Sequence, residues 1–258
     1  KVFICSNIHS NQQIHSMKKA FLFVFSLLLT AAAYAQNAEE LVAKHIEALG
    51  GEAAWKKLNT IKMEAKVTSD AGAGMSILWT MTAMRDKAAR MDVSVMGMNQ
   101  TTVVSGDKGW STNPFAGVTD PEPMTADQVK AMQEMTDLDG TLVGYKDKGY
   151  TVEYIGVEDV EGTEAHKIKI NKKDGKTEYT LLDPTTFYEI KNIKIETVDG
   201  KEVKAESVMS DYRKVDGLVF PFSMQQANPM MGTMTITMTA INVNAPVDEK
   251  IFEMPAKK

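Results

Sequence analysis

Met75-Ser76-Ile77-Leu78-Trp79-Thr80-Met81-Thr82 sets Met75, Ile77, Trp79 and Met81 against Ser76, Leu78, Thr80 and Thr82. The period is two, so one face of the segment is apolar and the other largely polar, the pattern of a β-strand. The same period returns in Thr233-Met234-Thr235-Ile236-Thr237-Met238-Thr239 and in Lys167-Ile168-Lys169-Ile170-Asn171. Strands with one wet and one apolar face belong to antiparallel sheet. Turn sequences separate them: Asp70 to Gly74, Gly106-Asp107-Lys108-Gly109, Lys173-Asp174-Gly175, Asp199-Gly200 and Asp216-Gly217. The spacing predicts roughly ten to twelve strands.

Upstream of Ile61 the period is helical. Leu41, Val42, His45, Ile46 and Leu49 share one face, Glu39 and Glu40 sit in the first turn, and Gly50-Gly51 ends the run. A shorter helix follows through Trp55 and Leu58. Thr125 with Gln128 forms a capping box that opens a third helix, with Val129, Met132 and Met135 on one side. Asn113 to Pro123 reads as a loop carrying Pro and Gly. The fold class is mainly β (α+β): a single strongly curved antiparallel sheet with two or three covering helices. So few helices cover a broad apolar face only if the sheet curls around them.

The first 35 residues stand apart. Met17-Lys18-Lys19, the apolar run Ala20 to Leu29 and Ala33-Tyr34-Ala35 have the order of a secretory signal peptide (17–35) cleaved before Gln36. Residues 1–16 read as upstream sequence from a misplaced start, and 36–258 as one domain. Cleavage removes three lysines and no acid, taking the formal net charge from −5 to −8. That sign argues against a nucleic-acid partner. It also removes Cys5, the only cysteine, which excludes disulfides, thiolate chemistry and a lipid-anchored N-terminus from the exported chain. The expectation is a soluble periplasmic protein without a lipid anchor.

Catalytic signatures are missing from the sequence. There is no G-x-S-x-G, G-x-G-x-x-G, P-loop or H-E-x-x-H, and His45 and His166 have no sequence-local partner, so both read as ordinary histidines. Asp137-Leu138-Asp139-Gly140 starts like a calcium loop, but position twelve is Lys148, which makes it a turn. No catalytic residue, cofactor or metal is assigned. Methionine is the compositional oddity, 18 in 258, with groups at Met96/Met98, Met132/Met135 and Met230/Met231/Met234/Met238. Three readings stay open: a thioether copper site, the lining of a deformable cavity, and a Met-rich core.

The chain resembles the LolA-like family of periplasmic lipoprotein carriers, most strongly between Met75 and Gly117. The stretches that carry this are the strand leading to Arg85, then Val103-Val104-Ser105-Gly106-Asp107-Lys108-Gly109-Trp110 and Asn113-Pro114-Phe115. His45-Ile46-Glu47-Ala48-Leu49-Gly50-Gly51, Tyr145 to Gly149, Asp211 to Leu218, Phe220-Pro221-Phe222 and Phe252-Glu253-Met254-Pro255 are similar to exported, outer-membrane lipoprotein-sorting-like proteins of Bacteroidetes type.

The resemblance implies a half-barrel that binds acyl chains on its concave face, without catalysis. The interior strands would supply Met75, Ile77, Trp79, Met81, Met234, Ile236 and Met238 as cavity lining. The lid or mouth would use Arg85, Trp110, Phe115 and Met132, with Arg85 bonding lid carbonyls. Asp86 stands where the carriers have proline, so Arg90 competes for that role, and Trp110 reads equally as a buried strand tryptophan. The implied partners are a lipid or acylated lipoprotein and membrane donor and acceptor proteins, with the protein itself a monomer. A non-catalytic envelope sensor on the same fold is the rival reading.

Overall fold

The computed structural model describes residues 37–71, 76–198, 201–228 and 232–256. The leader sequence, Met75, the Asp199-Gly200 turn, Met230 and Met231 lie outside the described residues.

Thirteen strands form one sheet. The first six are β1 (Thr60–Ser69), β2 (Ile77–Met84), β3 (Ala88–Val95), β4 (Met98–Ser105), β5 (Lys108–Asn113) and β6 (Val118–Pro123). The other seven are β7 (Thr151–Val160), β8 (Thr163–Asn171), β9 (Thr177–Leu182), β10 (Glu189–Val198), β11 (Lys201–Val215), β12 (Leu218–Asn228) and β13 (Gly232–Val243). Both groups run as antiparallel meanders, and β13 pairs with β1 to join them, leaving β6 and β7 as the edges. Met96-Gly97, Glu161-Gly162 and Asp216-Gly217 have positive φ at both residues. That is the two-residue hairpin turn whose twist matches the strands it joins.

Two features depart from the sequence reading. The sheet has one strand more than the upper expectation, because Asn113 to Pro123 is not a loop throughout. Val118–Pro123 pairs with β5 as an edge strand after a single 3-10 turn at Pro114–Ala116. Pro121 and Pro123 lack an N–H, which is tolerated only where one side of a strand has no partner. His45, read as an ordinary helix histidine, is buried at 5% exposure.

Among the described residues three α-helices accompany the sheet: α1 (37–48), α2 (Glu52–Trp55) and α3 (Ala126–Met132), the last with the capping box formed on both sides. The inner face of the sheet packs under α1, α2 and the segment 133–149. Leu58, Trp55, Leu138 and Val143 meet Ile61, Ala83, Ala89, Val104, Phe220 and Ile241 there. On the other side of α1, Leu41 and Val42 meet Ile168, Ile170 and Leu182, and Ile46 packs against both clusters. The outer face carries a smaller cluster of Ala88, Val103 and Trp110 under Phe252 of the C-terminal tail.

The curvature follows from one cavity that touches both Met81 on β2 and Thr180 on β9. These strands are six steps apart in sheet order. Flat, they would lie about 29 Å apart at the usual ~4.8 Å spacing. A cavity of about 290 Å³ spans far less. The sheet therefore wraps around the covering layer.

Candidate ligand-binding site

Register aligns three apolar rows on the inner face. Val93, Trp79, Ala65 and Met238 lie side by side across β3, β2, β1 and β13. Met91, Met81, Met63 and Ile241 form the next row toward the helices. Val95, Ile77, Val67, Ile236, Met224 and Met209 form the row on the far side. Ala65, Val67, Ile77, Met209 and Ile241 are buried, while Trp79, Met81, Met63, Met91, Val93, Ile236, Met238 and Met224 are only half-buried. A core row would be closed on all sides. This one emerges from under the covering layer as an apolar trough.

Under the covering layer the trough leads into the partly open cavity of about 290 Å³, since Met63 and Met81 line both. The cavity walls are Leu49, Trp55, Ile61, Leu138, Val143 and Phe220. Its other end is polar: His45, Thr180, Glu189 and Asn192. Glu189 accepts hydrogen bonds from Thr180 Oγ1 and, at 3.1 Å, from Asn192 Nδ2. Burial pushes the Glu189 carboxyl above the usual carboxylate range, outweighing those bonds. Burial likewise holds His45 below the usual imidazole range, against the favourable bond to the Phe187 carbonyl. Beside them, Lys172 and Glu178 form a buried ion pair at 2.5 Å. Burial works against the Lys172 charge, but Glu178 keeps its pKa above normal.

Among the contacts that tie the segment 133–149 to the sheet, two lie beside the cavity. Arg85, at the end of β2, donates to the Leu58 carbonyl from Nε and to the Trp55 carbonyl from Nη2, each at 2.7 Å. Its other donors engage Asp139 bidentately at 2.7 and 2.8 Å. Thr141 Oγ1 donates to Glu178 on β9 at 3.0 Å. Asp137, the other acid of the pseudo-calcium turn, pairs with Lys148.

The sequence-derived site residues divide accordingly. Ile77, Trp79, Met81, Ile236 and Met238 come together on the inner face, with Met234 opposite Ser69 at its far end. Met132 packs partly buried against the main core cluster. Phe115 is exposed at 46%, in the turn between the two last strands of one edge. Trp110 does not belong with a mouth. It faces the outer side, donating to the Phe252 carbonyl at 3.0 Å, because its parity on β5 is that of Val103 and not of Val104. Arg90 is on that side too, donating to the Ile251 carbonyl, so of the two competing arginines only Arg85 reaches the covering layer. A larger open depression of about 550 Å³ lies beside Trp110, Lys108 and Phe252, away from the trough.

No protein-family model matches the chain, and no curated protein matches it. Solved structures do. A DUF1329 family protein from Desulfovibrio piger superposes with a TM-score of 0.57 at 12% identity, over 84% of this chain and 97% of that one. A LolA superfamily protein from Nitrosomonas europaea gives a TM-score of 0.55 at 10% identity, over the same shares. The chain has the LolA-like fold. An outer-membrane lipoprotein-sorting protein domain from Vibrio parahaemolyticus matches at a TM-score of 0.54 and 11% identity, again over 84% and 97%. Identities this low carry the fold and no residue roles, so the candidate site rests on the geometry above.

The polar end of the cavity escaped the sequence reading. Glu178 and Thr180 alternate with Tyr179 and Leu181, but nothing local says that the polar side of β9 faces inward.

Proposed function

We propose that this protein binds a lipid, or the acyl chains of a lipoprotein, along the trough and under the lid, and acts without catalysis. The supporting observation is the row of half-buried apolar side chains that continues outward from the cavity under the covering layer. Each methylene moved from water onto such a surface is worth about 0.8 kcal/mol, so a long chain gains on the order of ten. Methionine suits a wall that must release what it holds, since its side chain adapts to several shapes. In this reading the protein is exported to the periplasm as a soluble monomer and passes its ligand from a membrane donor toward an outer-membrane acceptor. Among the described residues no helix is long and apolar enough to cross a membrane.

A fluorescent acyl probe tests the reading. The folded protein should bind it at roughly one-to-one stoichiometry. Met238→Trp, which fills the trough, should weaken the probe about tenfold while changing stability by less than about 1 kcal/mol. A closed core would behave differently: no probe bound, and an overpacking cost of about 1–3 kcal/mol. That pair of results would refute the proposal.

A further inference from the structure

The polar end of the cavity is built for a hydrogen-bonding group, not for a methyl terminus. His45 Nδ1 lies 2.8 Å from the Phe187 carbonyl oxygen. A carbonyl only accepts, so the ring hydrogen is on Nδ1 and Nε2 presents a lone pair. That atom has no hydrogen-bond partner among the described residues and keeps some accessible surface, although His45 as a residue is only 5% exposed and lines the cavity. The contact also places His45 beside the chain segment that carries Glu189, two residues beyond Phe187.

Glu189 completes the arrangement. Both of its side-chain hydrogen bonds, from Thr180 and Asn192, fall on Oε1, which leaves Oε2 without a partner among the described residues. Glu189 and Asn192 are deeply set yet keep some accessible surface, and the cavity is what they line. The neighbouring charges are already engaged or distant. Glu178 pairs with Lys172, Asp139 with Arg85 and Asp137 with Lys148, while Lys194 is largely exposed. Tyr212, on the adjacent strand, donates to the Glu189 backbone carbonyl and so offers the cavity no donor.

We infer that the cavity receives an aliphatic molecule ending in an uncharged hydroxyl, inserted hydroxyl first, with the tail running out along the trough. The hydroxyl hydrogen is donated to His45 Nε2, and the hydroxyl oxygen accepts from the Glu189 carboxyl. A carboxylate in this position would set an anion against the lone pair of a buried histidine. An ammonium group would require an ionised carboxylate there, next to the Glu178 charge. Long-chain alcohols and monoacylglycerols have the required chemistry. The inference rests on the lipid-binding reading above and adds orientation and head-group class to it.

Competition against the fluorescent acyl probe separates the two. At pH 7, 1-dodecanol should displace the probe at least about tenfold better than dodecyl methyl ether, which cannot donate, and better than dodecanoate. His45→Phe and Glu189→Leu should each abolish that preference. Glu189→Gln, which keeps a neutral hydrogen-bonding group, should retain it to within about threefold. Thermal melts of each variant establish that it is folded, and the glutamine variant serves as the isosteric control. Equal displacement by the alcohol and the ether, or a preference that survives both apolar substitutions, overturns the inference while leaving lipid binding intact. Failure of the probe itself to bind overturns both.

Discussion

Glu189 and His45 shift in opposite senses from their ordinary ranges, and each leaves its own mark on stability. Glu189 is held above its usual value of 4.5 by burial. Above that pH the unfolded chain releases the proton and the folded chain keeps it. The folded state then binds more protons, so stability falls as pH rises through this window, by at most about 1.4 kcal/mol per pH unit. His45 is held below its usual value of 6.5 by burial. Below that pH the unfolded chain takes up a proton that the folded chain refuses, so stability falls as pH drops. Glu189→Gln should therefore be more stable than the parent protein at pH 7, with the gain shrinking toward zero near pH 4. His45→Phe should flatten the acid-side slope whatever it does to absolute stability. Urea midpoints at pH 4, 5.5 and 7 read both effects, and a gain from Glu189→Gln that grows toward acid would contradict the first. These two residues also show where sequence reading stops. His45 could be placed on the apolar side of α1, yet its role depends on the Phe187 carbonyl, 142 residues away in the chain.

The covering layer is fixed at one end and clasped at the other. At the fixed end, the Leu49 carbonyl accepts from Val219 N at 3.0 Å and from Trp55 Nε1 at 3.1 Å. Gly50, at φ +111, lies so close to the β11–β12 turn that a Cβ would sit 2.4 Å from the Gly217 carbonyl oxygen. Gly50→Ala should cost roughly 2–4 kcal/mol, through both the backbone conformation and the clash, measured by chemical denaturation. The clasp is different in kind. Arg85 and Asp139 are only 18% and 13% exposed, and Arg85 also serves two carbonyls. Arg85→Ala leaves Asp139 and both carbonyls without that donor and should cost about 2–3 kcal/mol. It should also speed probe release by about tenfold, seen in stopped-flow displacement. An unchanged release rate with the stability loss would make Arg85 a structural anchor and not a clasp. At this scale much was legible: the helical period of 41–49, the Gly50-Gly51 stop and the capping box at Thr125 all correspond to what forms. Val118–Pro123 was not, because two prolines in six residues signal a loop unless the strand is known to be an edge. Trp110 was half legible, its strand plain but its face set by a pairing parity that only the fold fixes.

The whole molecule is an open sheet that manages its two edges by composition. The β6 edge carries Pro121 and Pro123, and the β7 edge carries Glu153, Glu158 and a register shift between Tyr154 and Gly156. Such features discourage edge-to-edge pairing between copies. The alternating strands made an antiparallel sheet legible, and the scarcity of helices implied curvature. What the sequence withheld was the order in which the two meanders meet, since the β1–β13 pairing joins residues 165 to 182 positions apart, from Ser69–Met234 to Ile61–Val243. That pairing is what brings the Trp79 strand and the Met238 strand into one trough. Charge then constrains how such a trough could empty. The chain is acidic, with a formal net charge of −5 over the full sequence, so no long-range attraction draws it to an anionic bilayer. Transfer of a bound acyl probe to vesicles should therefore be limited by release from the protein. The rate should not depend on vesicle concentration, nor on replacing part of the phosphatidylcholine by an anionic lipid, and Arg85→Ala should raise it in parallel with free release. A rate rising in proportion to vesicle concentration would mean that the protein docks on membranes and hands over its ligand in the encounter. Retention of the probe against excess vesicles would argue instead for a sensor, whose ligand is kept and reported, not delivered.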